Sequence, residues 1–291
     1  MDIVTIVFDC ETEKNLLKVQ FFSYKFIKFE INNIYVIWND DGNHIYLQEY
    51  ISWLPDYLRG KVKLIHRDNL INKQETNWYN QQILKILISQ IVESDYYLIL
   101  DTKNHFIRNV YIEDYFYYSA PAARPKLFIG DAGSMIQYYK NCLNYFDVKS
   151  NVKALTTTPF LMNKNITIEM IQFIEKKENK SFYTFFMENK ALYTEFYLYQ
   201  SFLIYSNSKY YLCNKNYSSV MNHPLTDWNS LNKYEETLKN DNIKCFGLHR
   251  NSIKYFTKQD KIQLIKMYEL YYPDFVLEFI KKCIIILIKY E

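Results

Sequence analysis

Residues 77–110 read NWYNQQILKILISQIVESDYYLILDTKNHFIRNV, and this stretch carries both of the periodicities that place the fold. Trp78, Ile83, Leu84, Leu87, Ile88 and Ile91 recur at helical spacing, which predicts an amphipathic helix over 76–92. The run YYLIL at 96–100 is continuous, apolar and of strand length, and it stops at Asp101. A polar turn with Lys103, Asn104 and His105 follows, and Phe106 and Ile107 return the chain to the interior. Upstream the alternation repeats. IVTIVF at 3–8 reads as a buried strand, 13–29 as a helix through Leu16, Leu17, Phe21, Tyr24 and Ile27, and NIYVIW at 33–38 as a second strand closed by Asn39-Asp40-Asp41-Gly42. Residues 62–65 form a third strand. Strand–helix–strand alternation with continuous apolar strands predicts an α/β fold, with a mainly parallel central sheet and flanking helices on both faces. In such sheets ligands bind beyond the carboxyl ends of the strands. The informative residues are therefore the polar ones directly after each strand: Asp9, Asn39, Asp40, and Asp101 onward.

Downstream the pattern is less regular. Helices are expected at 132–146, 167–177 and 257–271, with an aromatic-rich helical stretch over 181–205 around Glu195. No repeat, low-complexity tract or linker interrupts the chain, so one domain is expected over 1–273, divided into halves at 1–110 and 111–273. The final segment, FVLEFIKKCIIILIKY at 275–290, is too short and too charged to span a bilayer. It is expected to form an amphipathic C-terminal helix over 274–291. Packing on the body or on a partner subunit, and lying on a membrane surface with lysines toward acidic headgroups, both stay open.

Composition sets further bounds. At 291 residues, with 49% hydrophobic and 23% charged residues, the chain can bury a sizeable core without staples. The net charge of +3 is spread along the chain and gives no footprint for nucleic acid, so no nucleic-acid partner is expected. The five cysteines are odd in number and widely spaced, which supports neither a zinc site nor a disulfide framework and fits a reducing cytoplasm. The N-terminus lacks the basic and small-residue features of a signal peptide, and a cytoplasmic location is expected. With only five glycines and no GxGxxG, GxxxxGK[ST] or GxSxG pattern, dinucleotide dehydrogenases, P-loop ATPases and nucleophile-elbow hydrolases find no support.

The block from Trp78 to Phe106, with its W-Y-x-Q-Q-x-x-K helix, apolar strand and D-x-K-N-H-F turn, resembles a family of bacterial glycosyltransferases of the GT-A-like, DUF6492 type, some associated with capsular polysaccharide and lipooligosaccharide genes. IVTIVFDCE, LLKVQFFSY and IYVIWND near the start resemble the family's nucleotide-binding half. TTTPFLMNK, TEFYLYQSFL and GLHR resemble its acceptor-side half. The resemblance implies transfer of a sugar from a nucleotide-sugar donor to a surface-polysaccharide or lipid-linked glycan acceptor, in the cytoplasm or at the inner face of the membrane. Two competing readings stay open. One is a non-catalytic nucleotide- or sugar-binding scaffold of the capsule machinery, and the other, weaker one is a phosphate-processing hydrolase.

Candidate roles follow from the chemistry of that transfer. A nucleoside diphosphate gains charge as the glycosidic bond breaks, and GT-A enzymes commonly meet it with a divalent cation on carboxylates after a central strand. Asp101 stands in that place, but Lys103 occupies the position of the second carboxylate. Two alternatives stay open. Mn²⁺ or Mg²⁺ is held by Asp101 with His105 and His249, or Lys103 neutralises the diphosphate directly and no metal is needed. Glu195, set among Tyr193, Phe196, Tyr197 and Tyr199, is the candidate catalytic partner of Asp101, as a base toward the acceptor hydroxyl or as a group that orients the sugar. Phe8, Asp9, Asn39, Asp40, Gln81, Gln82, Lys85, Lys103, Asn104, Thr158 and Pro159 are the candidate donor-binding residues, and Arg250 beside His249 is a further phosphate contact. Each also has a plain structural reading, as turn chemistry at Asn39-Asp40 or a strand-ending residue at Asp101.

Overall fold

A computed structural model describes residues 1–8, 11–40, 45–71, 78–119, 122–130, 133–153, 155–213, 235, 239, 243–248 and 256–271. Along the chain these form β1 (Asp2–Val7), α1 (Glu11–Ser23), β2 (Ile34–Trp38), α2 (Ile45–Ile51), α3 (Asp56–Arg59), β3 (Val62–His66), α4 (Trp78–Leu87), β4 (Tyr96–Asp101) and β5 (Asn104–Phe106). Then come β6 (Phe116–Ser119), β7 (Ala122–Phe128), α5 (Ile136–Tyr145), β8 (Phe160–Asn163), α6 (Lys164–Glu178), α7 (Phe182–Glu188), α8 (Glu195–Tyr205), β9 (Tyr211–Cys213) and β10 (Cys245–Gly247). A last helix spans Lys258–Tyr271.

The central sheet has the order β3-β2-β1-β4-β8. β1 to β4 are parallel, and β8 closes one edge antiparallel to β4. Alternation along each strand explains why both faces are covered. Val4, Ile6, Tyr35, Ile37, Tyr97 and Ile99 enter one core, with residues of α4 to α8. Ile3, Val7, Ile34, Val36, Trp38, Leu98 and Leu100 enter the other, with Leu17 and Phe21 of α1 and Tyr50 of α2. Each such aliphatic side chain contributes about 1.5–3 kcal/mol on burial, so the sheet is a stiff base for whatever stands on its rim.

The expected mainly parallel sheet with flanking helices is thus present, and the strands match their expected positions to within a residue or so. Several details differ. The helix expected over 13–29 ends at Ser23 and passes into a 3-10 turn, Tyr24–Phe26. The stretch 181–205 is two helices, because Ser181 Oγ caps the first by accepting from Thr184 N, and Asn189 ends it. Thr158 and Pro159 lead directly into β8. Two small sheets, β5 with β10 and β6-β7-β9, carry no clear alternation in the sequence. Among the described residues no helix is long and apolar enough to cross a membrane. The C-terminal segment 274–291 lies outside the described residues.

Candidate functional site

Because β1, β2 and β4 are parallel, Phe8, Asn39, Asp40 and Asp101 share one rim of the sheet. Val7 pairs with Trp38 and Ile6 with Asp101, which sets Phe8 between the ends of β2 and β4. Asp9, which follows Phe8, lies outside the described residues, as do His249 and Arg250. His66 Nε2 lies 2.9 Å from the Asp40 carbonyl, just beyond β2. Asn39 is fully buried, and among the described residues neither its side-chain oxygen nor its nitrogen has a hydrogen-bond partner.

The end of β4 is different. The turn after Asp101 is closed by Asn104 Oδ1, which accepts from Asp101 N at 2.9 Å. Gln20 of α1 supports it from behind, with Nε2 donating to the carbonyls of Asp101 at 2.7 Å and Asn104 at 3.1 Å. Thr102 Oγ1 donates to Glu13, and Leu248 N donates to the Lys103 carbonyl at 2.9 Å. The backbone is therefore fixed by α1 on one side and the segment containing β10 on the other.

Four charged side chains meet on that turn. Lys103 Nζ lies 2.6 Å from Asp101 Oδ2, Lys85 Nζ 2.9 Å from Asp101 Oδ1, and the same Lys85 ammonium 3.2 Å from Glu195 Oε1. Lys85 and Glu195 side chains are 6% and 7% exposed, and Asp101 and Lys103 are 15% exposed, so the chain of charges runs from the interior to the surface. Thr158 Oγ1 lies 3.0 Å from Asp101 Oδ2 and 2.5 Å from Asn104 Oδ1, with one proton to give between them. Asn104 Nδ2 donates back to the Thr158 carbonyl at 3.2 Å. Thr158 precedes a cis peptide bond to Pro159, and Pro159 lines a small cavity with Thr157, Phe160, Leu155 and Leu127.

Packing explains how Glu195 reaches this place. It is the first residue of α8, and the next residue, Phe196, stacks on Phe160 of β8 with centroids 4.1 Å apart. Gln82 Oε1 accepts from Glu195 N at 3.4 Å. Gln82 and Lys85 are three residues apart on α4, so one helix face holds both the backbone and the carboxylate of Glu195. Gln81 is half-buried and makes no hydrogen bond to the cluster.

The electrostatics follow from this geometry. Burial alone would raise the Asp101 carboxyl, but the ammonium groups of Lys103 and Lys85 overcome it and hold it well below the usual carboxylate range. Burial disfavours the charge on Lys85, yet Asp101 and Glu195 outweigh it and the ammonium is held more tightly than usual. At Glu195 burial prevails over Lys85, and the carboxyl is raised. Burial pushes His105 down to about 4, so it is neutral at physiological pH, and its Nδ1 faces the Lys103 carbonyl at 3.3 Å.

This donor set does not suit a hard divalent cation at Asp101. Each carboxylate oxygen already faces an ammonium group, and among the described residues no three His, Cys, Asp or Glu side chains gather as metal ligands would.

The structure therefore brings together Asp101, Lys103, Asn104, Thr158, Lys85, Gln82 and Glu195, drawn from four separate stretches of chain. Gln20, Glu13 and Thr102 are the residues that sequence reasoning missed. Gln20 stands 81 residues from its partner on an ordinary amphipathic helix, and no local pattern marks it.

Fold and site together define a mainly parallel α/β protein with a polar cluster at the carboxyl ends of its strands. Residues 30–256 match the family described as a family of unknown function, DUF6492, and the chain belongs to it. None of the curated proteins matches the chain. Among solved structures, galactosyltransferase LgtC in complex with donor and acceptor sugar analogs is similar, with a TM-score of 0.44 and 12% identity over 70% of each chain. Mouse xyloside xylosyltransferase 1 in its apo form gives a TM-score of 0.47 and 13% identity over 87% of this chain and 99% of that one.

Proposed function

We propose that this protein is a glycosyltransferase that moves a sugar from a nucleotide-sugar donor to a glycan acceptor. The observation that carries the reading is the charged cluster at the end of β4. Lys103, Lys85 and Thr158 each reach Asp101, and Glu195 joins through Lys85, at the rim where an open α/β sheet binds its ligand. The sequence resemblance in this block supplies the reaction class.

The donor lies along the rim. Phe8, Asn39 and Asp40 take the base and ribose, and Asn39 offers a buried amide with a donor and an acceptor both unused. The diphosphate lies at the Asp101 turn, with Lys103 and the Asn104–Thr158 pair beside it. Asp101 holds Lys103 and Lys85 in place as charge develops on the leaving diphosphate, in a site where burial strengthens every electrostatic contact. Glu195 is linked to this centre through Lys85. Its raised carboxyl suits a base toward the acceptor hydroxyl, and that role requires Lys85 to release Oε1. The acceptor is read as a surface-polysaccharide or lipid-linked glycan, with the reaction in the cytoplasm or at the inner face of the membrane.

The test is a thermal-shift screen of nucleotides and nucleotide sugars, followed by a transfer assay on the donors that bind. A ligand that binds only the folded state raises the melting temperature. Stabilisation by one nucleoside diphosphate series, lost in Asp101→Ala, is the expected result. Binding without turnover on any glycan acceptor would favour the scaffold reading, and no response to any nucleotide would end both.

A further inference from the structure

The carboxylate that the fold offers at the end of β4 is already neutralised, and the two lysines that neutralise it are not equivalent. Lys85 comes from α4, is 6% exposed, and bridges two carboxylates, Asp101 Oδ1 at 2.9 Å and Glu195 Oε1 at 3.2 Å. Its ring neighbour is Phe196, 5.0 Å from the ammonium. It is sealed into the interior. Lys103 comes from the turn itself, meets Asp101 Oδ2 at 2.6 Å and no other carboxylate among the described residues, and is the last member of the chain of charges, 15% exposed. The turn that carries it is fixed through backbone bonds from Gln20 and Leu248, so its position is set before any ligand arrives.

We infer that the Lys103 ammonium, anchored on Asp101, is a built-in cation that takes the place of a divalent metal at the diphosphate of the donor. Lys85 then has a separate role in the resting site, where it holds Asp101 and Glu195 together until Glu195 is released to act. The cluster of two carboxylates and two ammonium groups is neutral without a ligand. A diphosphate that approaches Lys103 adds its charge at the less buried end of the chain of charges, where the ammonium still has donors to give. A divalent cation at the same carboxylate would have to displace both lysines, which leaves Lys103 without its carboxylate and Lys85 with Glu195 alone, and this opposes it. The inference rests on the transferase reading for its ligand class, while the metal-free binding it describes is measurable on its own.

The experiment uses the full chain with two kinds of probe, inorganic pyrophosphate and the common nucleoside diphosphates, titrated calorimetrically in EDTA and in Mn²⁺. At least one probe is expected to bind in EDTA, with an affinity that Mn²⁺ changes by less than about threefold. Lys103→Gln is expected to weaken it by about tenfold or more, and Lys103→Arg to keep most of it, because a guanidinium also binds phosphate. A gain-of-function arm adds Lys103→Asp, which is expected to take up Mn²⁺, read as loss of the free-ion electron paramagnetic resonance signal, where the unsubstituted protein takes up none. Diphosphate binding that appears only with Mn²⁺, or that survives Lys103→Gln undiminished in EDTA, overturns the inference. Metal-dependent sugar transfer sinks it and spares the transferase reading. Metal-free, Lys103-dependent pyrophosphate binding with no sugar transfer does the reverse. Failure of every probe in both media ends both.

Discussion

The rim of the sheet ends in two contrasting ways. At β4, Asp101 is surrounded by Lys103, Lys85, Thr158 and Asn104, and these groups largely satisfy one another. At β2, Asn39 is more deeply buried, yet among the described residues its amide finds no partner on either atom. Buried polar groups are almost always paired, so an unpaired one in the interior marks either stored cost or a place kept for a ligand. The difference teaches that the two ends are prepared differently. The β4 end is held together by its own side chains; on the proposed reading it meets the diphosphate with little rearrangement, and the β2 end is completed by the nucleotide.

The largest effect should come from breaking the β4 network at its centre. Lys85→Met leaves Asp101 and Glu195 as facing carboxylates with one internal cation removed, and should cost ~3–5 kcal/mol of unfolding free energy. Chemical denaturation would measure it. Adding Glu195→Gln should recover a large part, because the remaining Asp101–Lys103 pair is again balanced; simple additivity of the two changes would mean that they do not share the lysine.

Acid should act next. His105 is buried and neutral with a value of about 4, against an ordinary 6.5, so the unfolded chain binds its proton first as pH falls. Its share of stability is full above about pH 6.5 and is lost down to about pH 4, roughly 3 kcal/mol in all. Asp101, whose folded value is depressed, loses its contribution only when the pH falls below the ordinary carboxylate range. Glu195 acts in the opposite sense: its raised carboxyl binds its proton more tightly when folded, so its contribution falls as pH rises through that range. Melting temperatures of the unsubstituted protein and His105→Gln between pH 7 and pH 4 should converge toward the acid end. Parallel curves would show that His105 is not the group responsible.

Smaller changes sharpen the contrast. Thr158→Val removes the hydroxyl shared by Asp101 and Asn104 and should cost ~1–2 kcal/mol, with weaker diphosphate binding. Asn39→Leu should behave in the opposite way. Replacing an unpaired buried amide by an apolar group of similar shape should leave stability unchanged or raise it by up to ~1 kcal/mol, while nucleotide affinity falls by about tenfold. A loss of stability in Asn39→Leu would show that the amide is satisfied without ligand, and the contrast between the two ends would fail.

Much of the site was legible because one stretch of chain holds it. Asp101, Lys103 and Asn104 follow a continuous apolar strand, and Lys85 and Gln82 lie on the helix before it, so periodicity alone puts them near one rim. Asn39 and Asp40 were legible for the same reason at the end of β2. Glu195 was singled out only through the family resemblance, since a glutamate among tyrosines on a helix has many ordinary explanations. Its partner could not be read, because the Lys85–Glu195 contact spans 110 residues. Gln20, β5 with β10, and the antiparallel edge strand β8 were illegible on the same ground: short strands and single long-range bonds leave no period in the sequence.

By itself the sequence determined the parallel β1–β4 frame and the identity of the polar residues at its carboxyl rim, because a buried strand must be continuously apolar and the first polar residue after it must emerge at the edge. Only the tertiary structure decided what those residues face. That Lys85 is enclosed by two carboxylates depends on α8 packing Phe196 against Phe160, and the position of the Asp101 turn depends on α1 placing Gln20 behind it. Such contacts join residues distant in the chain, and their energy appears only when burial removes the water that would otherwise satisfy each group alone.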